Sequence, residues 1–490
     1  MLNPAYRDTA TILLIAVFIY LPFLGSLEWS GNESLRVIVS KEIIETNNWI
    51  ITTLHGKPYF IKPPLFNWLI AACGQLFGTI NEWTSRIPSV VAMVFTGLAV
   101  YFLSGQTLSR SGRLFAALVT LSMTGLIKKA RTAEIDSLFI FFVTLSLLIW
   151  IHGYTKKYRP IVTWSIPLAI LGIGFLTKGP HAATFFYFTV FAFLLIRKNL
   201  RYFFSVAHMG GLMVMLSFVA AYVLTVLQHM SWQEYVEIWI YQFNSRAAST
   251  KSYAFVRHLL DFPLDAALSF MPWILLIIPA FVSKKMKGIF RELFRNDLIF
   301  FAFVMVAANF PLYWLLPNAY VRYFLPAGPF IAIMLTGVVE RYFLQREQNN
   351  VPMGITVRKL AIIASLSIGI CLHIYTATLI RREARDINSP KKIAAEIERA
   401  VPSDVNAIYV SKRFEEVTCN LKRNIIRVHT FHDLEQIHEK GQAVYFIHDN
   451  DNGKFISSGE AEKWEKIYYH KNKGEELIVG RLIVAPKALQ

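Results

Sequence analysis

Residues 31–69 read GNESLRVIVSKEIIETNNWIITTLHGKPYFIKPPLFNWL. The stretch lies in a loop, 27–86, between two apolar runs, 9–26 and 87–104, that are each long enough to cross a bilayer. At about sixty residues it is too long for a simple connector. Residues 33–45 place Leu35, Val37, Ile38, Val39, Ile43 and Ile44 with amphipathic spacing, which predicts a helix lying in the interface with Glu33 at its start, near the bilayer surface. Gly56-Lys57-Pro58-Tyr59-Phe60-Ile61-Lys62-Pro63-Pro64 follows. Its prolines fix φ and stiffen the segment, so Tyr59 and Lys62 are presented in a set arrangement.

Working outward, the same alternation of apolar run and polar loop continues. Of the 490 residues 54% are hydrophobic and 17% charged, with a mean hydropathy of +0.41, more apolar surface than a soluble chain can bury. Runs of crossing length are expected at 9–26, 87–104, 114–127, 137–153, 161–176, 181–196, 205–227, 264–283, 298–315, 323–340 and 360–380, about eleven in all. The stretch 65–78 is short for a span and reads as an amphipathic helix on the outer surface. The net charge of +17 comes from Lys and Arg concentrated in short loops, SRSGR (109–113), KKYR (156–159), RKNLR (197–201), KKMKGIFRELFR (284–295) and 341–359. That pattern points to topology signals and anionic lipid headgroups and argues against nucleic acid. By the positive-inside rule these loops and the N-terminus face the cytoplasm, and an odd number of spans puts the tail outside. The run Thr9–Leu27 meets Glu28-Trp29 with no small-residue cleavage site, so it is read as a retained first span. Cys73, Cys371 and Cys419 form no CxxC pair and no disulfide framework.

The expected fold is therefore mainly α and polytopic over 1–380, followed by a small extracytoplasmic α/β domain over 381–490. The tail alternates helical stretches (390–400, 433–440) with β-like runs at 406–410, 424–428, 443–447 and 476–484, and it has no Gly-rich phosphate loop.

Within the expected spans His208 and His373 are the only ionisable His, Lys, Arg, Asp or Glu residues well inside. An ion-coupled transporter places such groups near the midplane, whereas here they collect in the outer loops. That places the chemistry at the outer membrane–water boundary.

The order of a short acidic motif, an interfacial helix, NW, G-x-x-YF-x-KPPL-x-x-WL and R-x-PS (86–89) resembles the bacterial aminoarabinose transferase and protein O-mannosyltransferase family. ARTAEID (130–136), LTKGP (176–180), FNSR (243–246), Pro272-Trp273 and RYFLPAGP (322–329) extend the resemblance over about residues 15–335. It implies a GT-C fold and transfer of a sugar from a polyprenyl-phosphate carrier to an acceptor lipid, glycan or protein, in the cytoplasmic (inner) membrane. Two positions depart from the pattern. Asn32 stands where relatives carry Asp, and Asn cannot take a proton. Ile61 stands where the aminoarabinose transferases have a metal-linked Glu, so no metal is expected there.

Displacing polyprenyl phosphate from an anomeric carbon needs a carboxylate for the acceptor hydroxyl and cations for the leaving phosphate. Glu33 is the first candidate carboxylate, with a helix-capping role as its alternative, and Asp136 is the second, with Glu134 its near competitor. Lys62 and Arg246 lead for the phosphate, followed by Arg322 and Lys178, all against the alternative of snorkelling to headgroups. Tyr59 and Tyr323 are candidates to bond sugar or phosphate, or else members of an aromatic belt. His55, His181 and His258 form no i,i+4 pair and no HExxH motif. KKAR (128–131) reads as a solvated or lipid-facing patch, with Arg131 the member placed to reach a donor. A lipid-linked glycan flippase and a non-catalytic scaffold are the competing function classes.

Overall fold

The structure is a computed structural model that describes residues 3–247, 252–278, 292–317, 319–348, 356–411, 414–439, 442–449, 455–456, 458–472 and 475–483. The chain divides into two compact units, one of residues 1–24, 60–69 and 86–377, the other of 25–59, 70–85 and 378–490.

The first unit is a helical bundle. Its described helices include α1 (Pro4–Tyr20), the greater part of α4 (Glu82–Leu103), α5 (Arg110–Ser122), α6 (Thr124–Ala130), α7 (Asp136–Thr155), α8 (Pro160–Lys178) and α9 (His181–Ile196). They continue with α10 (Leu200–Phe203), α11 (Val206–Leu227), α12 (Trp232–Ala247), α13 (Ser252–Ser269), α14 (Asp297–Leu315), α15 (Gly328–Gln348) and most of α16 (Val357–Arg385). Among the described residues six helices are long and apolar enough to cross a membrane, and α9 is a shorter apolar helix. This is a multi-pass membrane protein.

Aromatic rings fill the bundle: Trp150 stacks on Tyr154 and Phe301, with ring centroids 5.2 and 5.6 Å apart, and packs edge-on to Trp164 at 5.5 Å. Helices α8 and α11 meet closely because Gly211 faces the backbone of Trp164, where an added Cβ would lie 2.9 Å from the carbonyl carbon.

Two expected spans are interrupted. The run 114–127 breaks at Met123, which is extended between α5 and α6. The Thr124 N–H donates instead to the Met271 carbonyl (3.0 Å) and its hydroxyl to Leu268 O (2.6 Å), so tertiary bonds replace helical ones. The run 264–283 ends its α-helix at Ser269, and a 3-10 turn at Trp273–Ile277 follows Pro272, which has no N–H to continue a helix. Residues 279–283, like most of the basic segment 284–295, lie outside the described residues.

At the start of the bundle Asp8 is fully buried. Its carboxylate accepts from the Tyr101 hydroxyl (2.9 Å), Arg110 Nε (2.5 Å) and Arg358 Nη1 (2.7 Å), tying α1 to three other helices.

The second unit holds α2 (Asn32–Thr46) and the hairpin of β1 (Thr53–Leu54) and β2 (Lys57–Pro58), turned at His55-Gly56 with φ of 53° and 71°. The helix forms where the apolar spacing predicts it, but residues 33–40 are buried on every side, so the expected wet face is missing there. Glu42 fastens the hairpin by accepting from the Thr53 hydroxyl, the His55 N–H (2.7 Å) and the Gly56 N–H (3.3 Å), and burial pushes its carboxyl above the usual range. α3 (Leu65–Phe77) forms as expected for 65–78.

In the tail, α17 (Pro390–Ala400), α18 (Glu415–Thr418) and α19 (Phe431–His438) accompany a five-stranded sheet ordered β4-β3-β5-β7-β6. β3 (Ala407–Val410) pairs parallel with β4 (Asn424–Arg427) and β5 (Tyr445–His448). β7 (Glu475–Leu482) runs antiparallel to β5 and to the edge strand β6 (Trp464–Asn472). Ile393 and Ile397 of α17 pack on one face with Ile408, Val410, Ile447 and Val479, while Phe431 and Leu434 join Tyr409 and Phe446 on the other.

Asp8→Ala removes the shared acceptor from two arginines that are each about a third exposed and can partly rehydrate. The expected loss is about 2 kcal/mol, read as a lower melting temperature of the detergent-solubilised protein.

Candidate active site

The loop ARTAEID brings Asp136 to the first position of α7, and LTKGP ends α8 on Lys178 just before Gly179, whose φ of +67° suits glycine. Lys178 Nζ donates to Asp136 Oδ1 at 2.6 Å. Lys129 Nζ lies 3.2 Å from Asp136 Oδ2 and also pairs with Glu134. The side chains of Asp136 and Lys178 are 3% and 2% exposed, and those of Lys129 and Glu134 are 10% and 14%. Glu134, Lys129, Asp136 and Lys178 thus form a buried chain of alternating charge. Burial pulls the Lys129 ammonium down, but Asp136 and Glu134 outweigh it and hold the group above its ordinary value.

Aromatic rings surround the end of this chain. Lys178 Nζ sits 4.4 Å from the Phe139 ring centroid and 4.3 Å from that of Tyr323. The Arg322 guanidinium lies over Tyr320 (4.9 Å) and Tyr323 (5.6 Å), forms no ion pair among the described residues, and feels the field of Asp136 and Glu134. His181 stacks on Tyr323 at 5.7 Å and donates from Nδ1 to the Lys178 carbonyl at 3.0 Å.

Four sequence candidates, Asp136, Lys178, Arg322 and Tyr323, therefore come together. Lys62 lies half-buried in the same unit, in the 60–64 segment where Phe60 packs edge-on to Tyr235 at 5.8 Å. Arg246 is in the last turn of α12, and its side chain lies outside the described residues.

Glu33 and Tyr59 belong to the other unit. Glu33 is buried in the first turn of α2, and its Oε2 accepts from the Ser30 N–H at 3.3 Å, just ahead of the helix. Tyr59 is buried, with the Arg36 guanidinium 5.6 Å from its ring centroid.

The reading of 128–131 as a solvated or lipid-facing patch is corrected. Lys128 is exposed, but Lys129 is buried because the carboxylates of Glu134 and Asp136 turn back to meet it. Arg131 donates to the Ile19 and Tyr20 carbonyls (3.1 and 2.8 Å), capping the last turn of α1 instead of pointing to a donor. Burial, with Arg86 nearby, lowers its guanidinium to about 10. Lys129 was missed as a functional candidate, although its closeness in sequence to Glu134 and Asp136 was a signal.

No three His, Cys, Asp or Glu side chains converge to hold a metal among the described residues.

Residues 61–228 match the family described as dolichyl-phosphate-mannose-protein mannosyltransferase. A protein of Aquifex aeolicus is 26% identical over 344 residues, 69% of this chain and 65% of that one. An undecaprenyl phosphate-alpha-4-amino-4-deoxy-L-arabinose arabinosyl transferase of Pseudomonas savastanoi pv. phaseolicola is 31% identical over 181 residues, 36% of this chain and 34% of that one. The match thus spans about a third of that arabinosyl transferase's length. In three dimensions the chain superposes on ArnT from Cupriavidus metallidurans, solved bound to undecaprenyl phosphate, with a TM-score of 0.73 at 14% identity over 98% of both chains. The Archaeoglobus fulgidus oligosaccharyltransferase gives 0.52 at 12% identity, over 99% of this chain and 74% of that one.

The fold is thus that of the GT-C membrane glycosyltransferases. Among them the chain resembles the aminoarabinose transferases, as its KPPL loop implies.

A double-mutant cycle on Asp136→Asn and Lys178→Met tests the buried pair. Each single change is expected to cost about 3 kcal/mol by stranding a buried charge. The double is expected to cost less than their sum by more than about 1 kcal/mol, read from thermal unfolding in detergent.

Proposed function

We propose that this chain is a membrane glycosyltransferase that moves a sugar from a polyprenyl-phosphate carrier to an acceptor hydroxyl on the outer side of the cytoplasmic membrane. The observation that carries this reading is the buried cluster at the head of α7. Its two carboxylates and three cations, Lys129, Lys178 and Arg322, leave one positive charge over, and Arg322 has no carboxylate of its own among the described residues. A low-dielectric site with a spare cation favours an anion, and a phosphate oxygen suits a guanidinium. The likeness to an arabinosyl transferase named for undecaprenyl phosphate, and to a fold solved with that lipid, supports the same ligand class.

In the reaction the acceptor oxygen bonds to the anomeric carbon as the bond from that carbon to phosphate oxygen breaks. Polyprenyl phosphate leaves with the electron pair, and the acceptor proton goes to a carboxylate. Glu33 is assigned that carboxylate. Asp136 has both oxygens occupied by ammonium groups, so its proposed part is to hold Lys178 in place beside the leaving phosphate. Arg322 and Lys178 stabilise the phosphate, assisted by Lys62 and Arg246 as the family pattern implies. Tyr59 and Tyr323 are assigned to orienting the substrate. The acceptor class, whether lipid A, another glycan or protein, is left to experiment.

Glu33→Gln is expected to lower transfer by about 100-fold or more. Deletion of the gene followed by mass spectrometry of lipid A and surface glycans is expected to show loss of one defined sugar. An unchanged glycan profile would remove the transferase reading. For topology, with the N-terminus inside and the tail of 381–490 outside, alkaline phosphatase fused behind the tail is expected to be active, and a fusion after Arg110 inactive.

A further inference from the structure

We propose that Lys129 and Glu134 each act on the net charge of the anion site, their opposite charges holding it at one positive charge, and through it tune the balance between donor binding and product release. The inference rests on the phosphate-binding reading above. It starts from an oddity of the cluster. Asp136 and Lys178 already satisfy one another at 2.6 Å, with 3% and 2% of their side chains exposed. Lys129 and Glu134 add a second ion pair in almost the same degree of burial, at a cost in desolvation that Asp136–Lys178 pairing does not require.

Their effect is electrostatic. Asp136 and Lys178 sum to zero, and Arg322 adds one positive charge that no carboxylate among the described residues pairs with. Lys129 and Glu134 are neutral as a pair, but each alone shifts the total. Without Glu134 the cluster carries two positive charges, and without Lys129 it carries none. Burial leaves these charges poorly screened, so a change of one unit is felt by any phosphate held near Arg322.

The two ligands of the reaction differ in charge. The donor is a phosphodiester with a single negative charge. The leaving polyprenyl phosphate is a monoester whose second ionisation lies near pH 6, so at neutral pH its charge approaches two. A site made more positive gains more for the product than for the donor and slows release. A site made less positive fails to hold the donor. Glu134 is thus a brake on product affinity, and Lys129, which carries Glu134 and touches Asp136, is a positioning residue for the cluster.

The test uses the purified full-length protein in nanodiscs with undecaprenyl phosphate as the probe. Glu134→Gln is expected to bind it about tenfold more tightly and Lys129→Met about tenfold more weakly. The double variant, restored to the original net charge, should return to within about threefold of the unaltered protein. A merely structural ion pair predicts something else: both single variants bind more weakly and melt earlier, and the double is no better than either. That pattern, or an unchanged affinity in Glu134→Gln, overturns the proposal. Glu134→Gln keeps the Lys129–Asp136 contact and nearly the same side-chain volume, so it reports even if Lys129→Met does not fold. Failure of the unaltered protein to bind undecaprenyl phosphate would instead defeat the phosphate-binding reading itself.

Discussion

A carboxylate shielded from water must find positive charge nearby, and Asp136 finds it on both sides. Meeting that demand brings three separated stretches of chain to one place: the end of α6, the first turn of α7 and the last turn of α8. The aromatic rings of Phe139 and Tyr323 then close over the Lys178 ammonium. Helix ends in a membrane bundle ordinarily satisfy their charges in the headgroup layer. Here they are satisfied by one another, which gives this end of the bundle a fixed electrostatic character.

The same economy of polar groups explains where helices stop. The Thr124 amide and hydroxyl bond to backbone carbonyls of the 268–271 turn, and the Trp273 indole donates to the Ser122 hydroxyl at 2.9 Å. These contacts draw the two broken segments together at α5–α6 and after α13. Hydropathy taken over the whole run 114–127 hides the break, although Ser122, Thr124 and Gly125 flank Met123.

Much of the architecture was legible for a simple reason: a bilayer demands long apolar runs, and those runs stand out over 87–104, 137–153, 161–176, 205–227 and 298–315. In the tail, β3, β4, β5 and β7 were visible as apolar clusters. β6 was not, because an edge strand reading WEKIYYHKN alternates weakly and takes its order from pairing with β7. The candidate site was legible as a set of residue types near the ends of the expected spans, and Asp136, Lys178, Arg322 and Tyr323 do assemble. Lys129 was hidden by its setting in KKAR, since a basic tetrapeptide beside a span normally faces water or lipid. Its burial depends on Glu134 and Asp136 folding back towards it, which is a property of the loop and not of the tetrapeptide.

The loop of residues 25–59 and the tail are stitched by specific bonds. His55 Nε2 lies 3.1 Å from the Thr418 hydroxyl across 363 residues of chain, Lys41 Nζ donates to the Cys419 carbonyl, and the Arg427 amide donates to the His55 carbonyl. This has a consequence for biogenesis. The loop leaves the ribosome before residues 86–377 of the helical bundle, and the tail only after them. Throughout the synthesis of that stretch, residues 25–59 therefore wait with Lys41 and His55 lacking the partners that complete their unit. The β1–β2 pairing and the bonds from the hairpin to Glu42 are local, so the hairpin is the part of the loop able to form during that wait. The His55–Thr418 bond joins two side chains, so a change at either residue removes it, whereas the Cys419 and Arg427 bonds use backbone groups of the tail and survive substitution there.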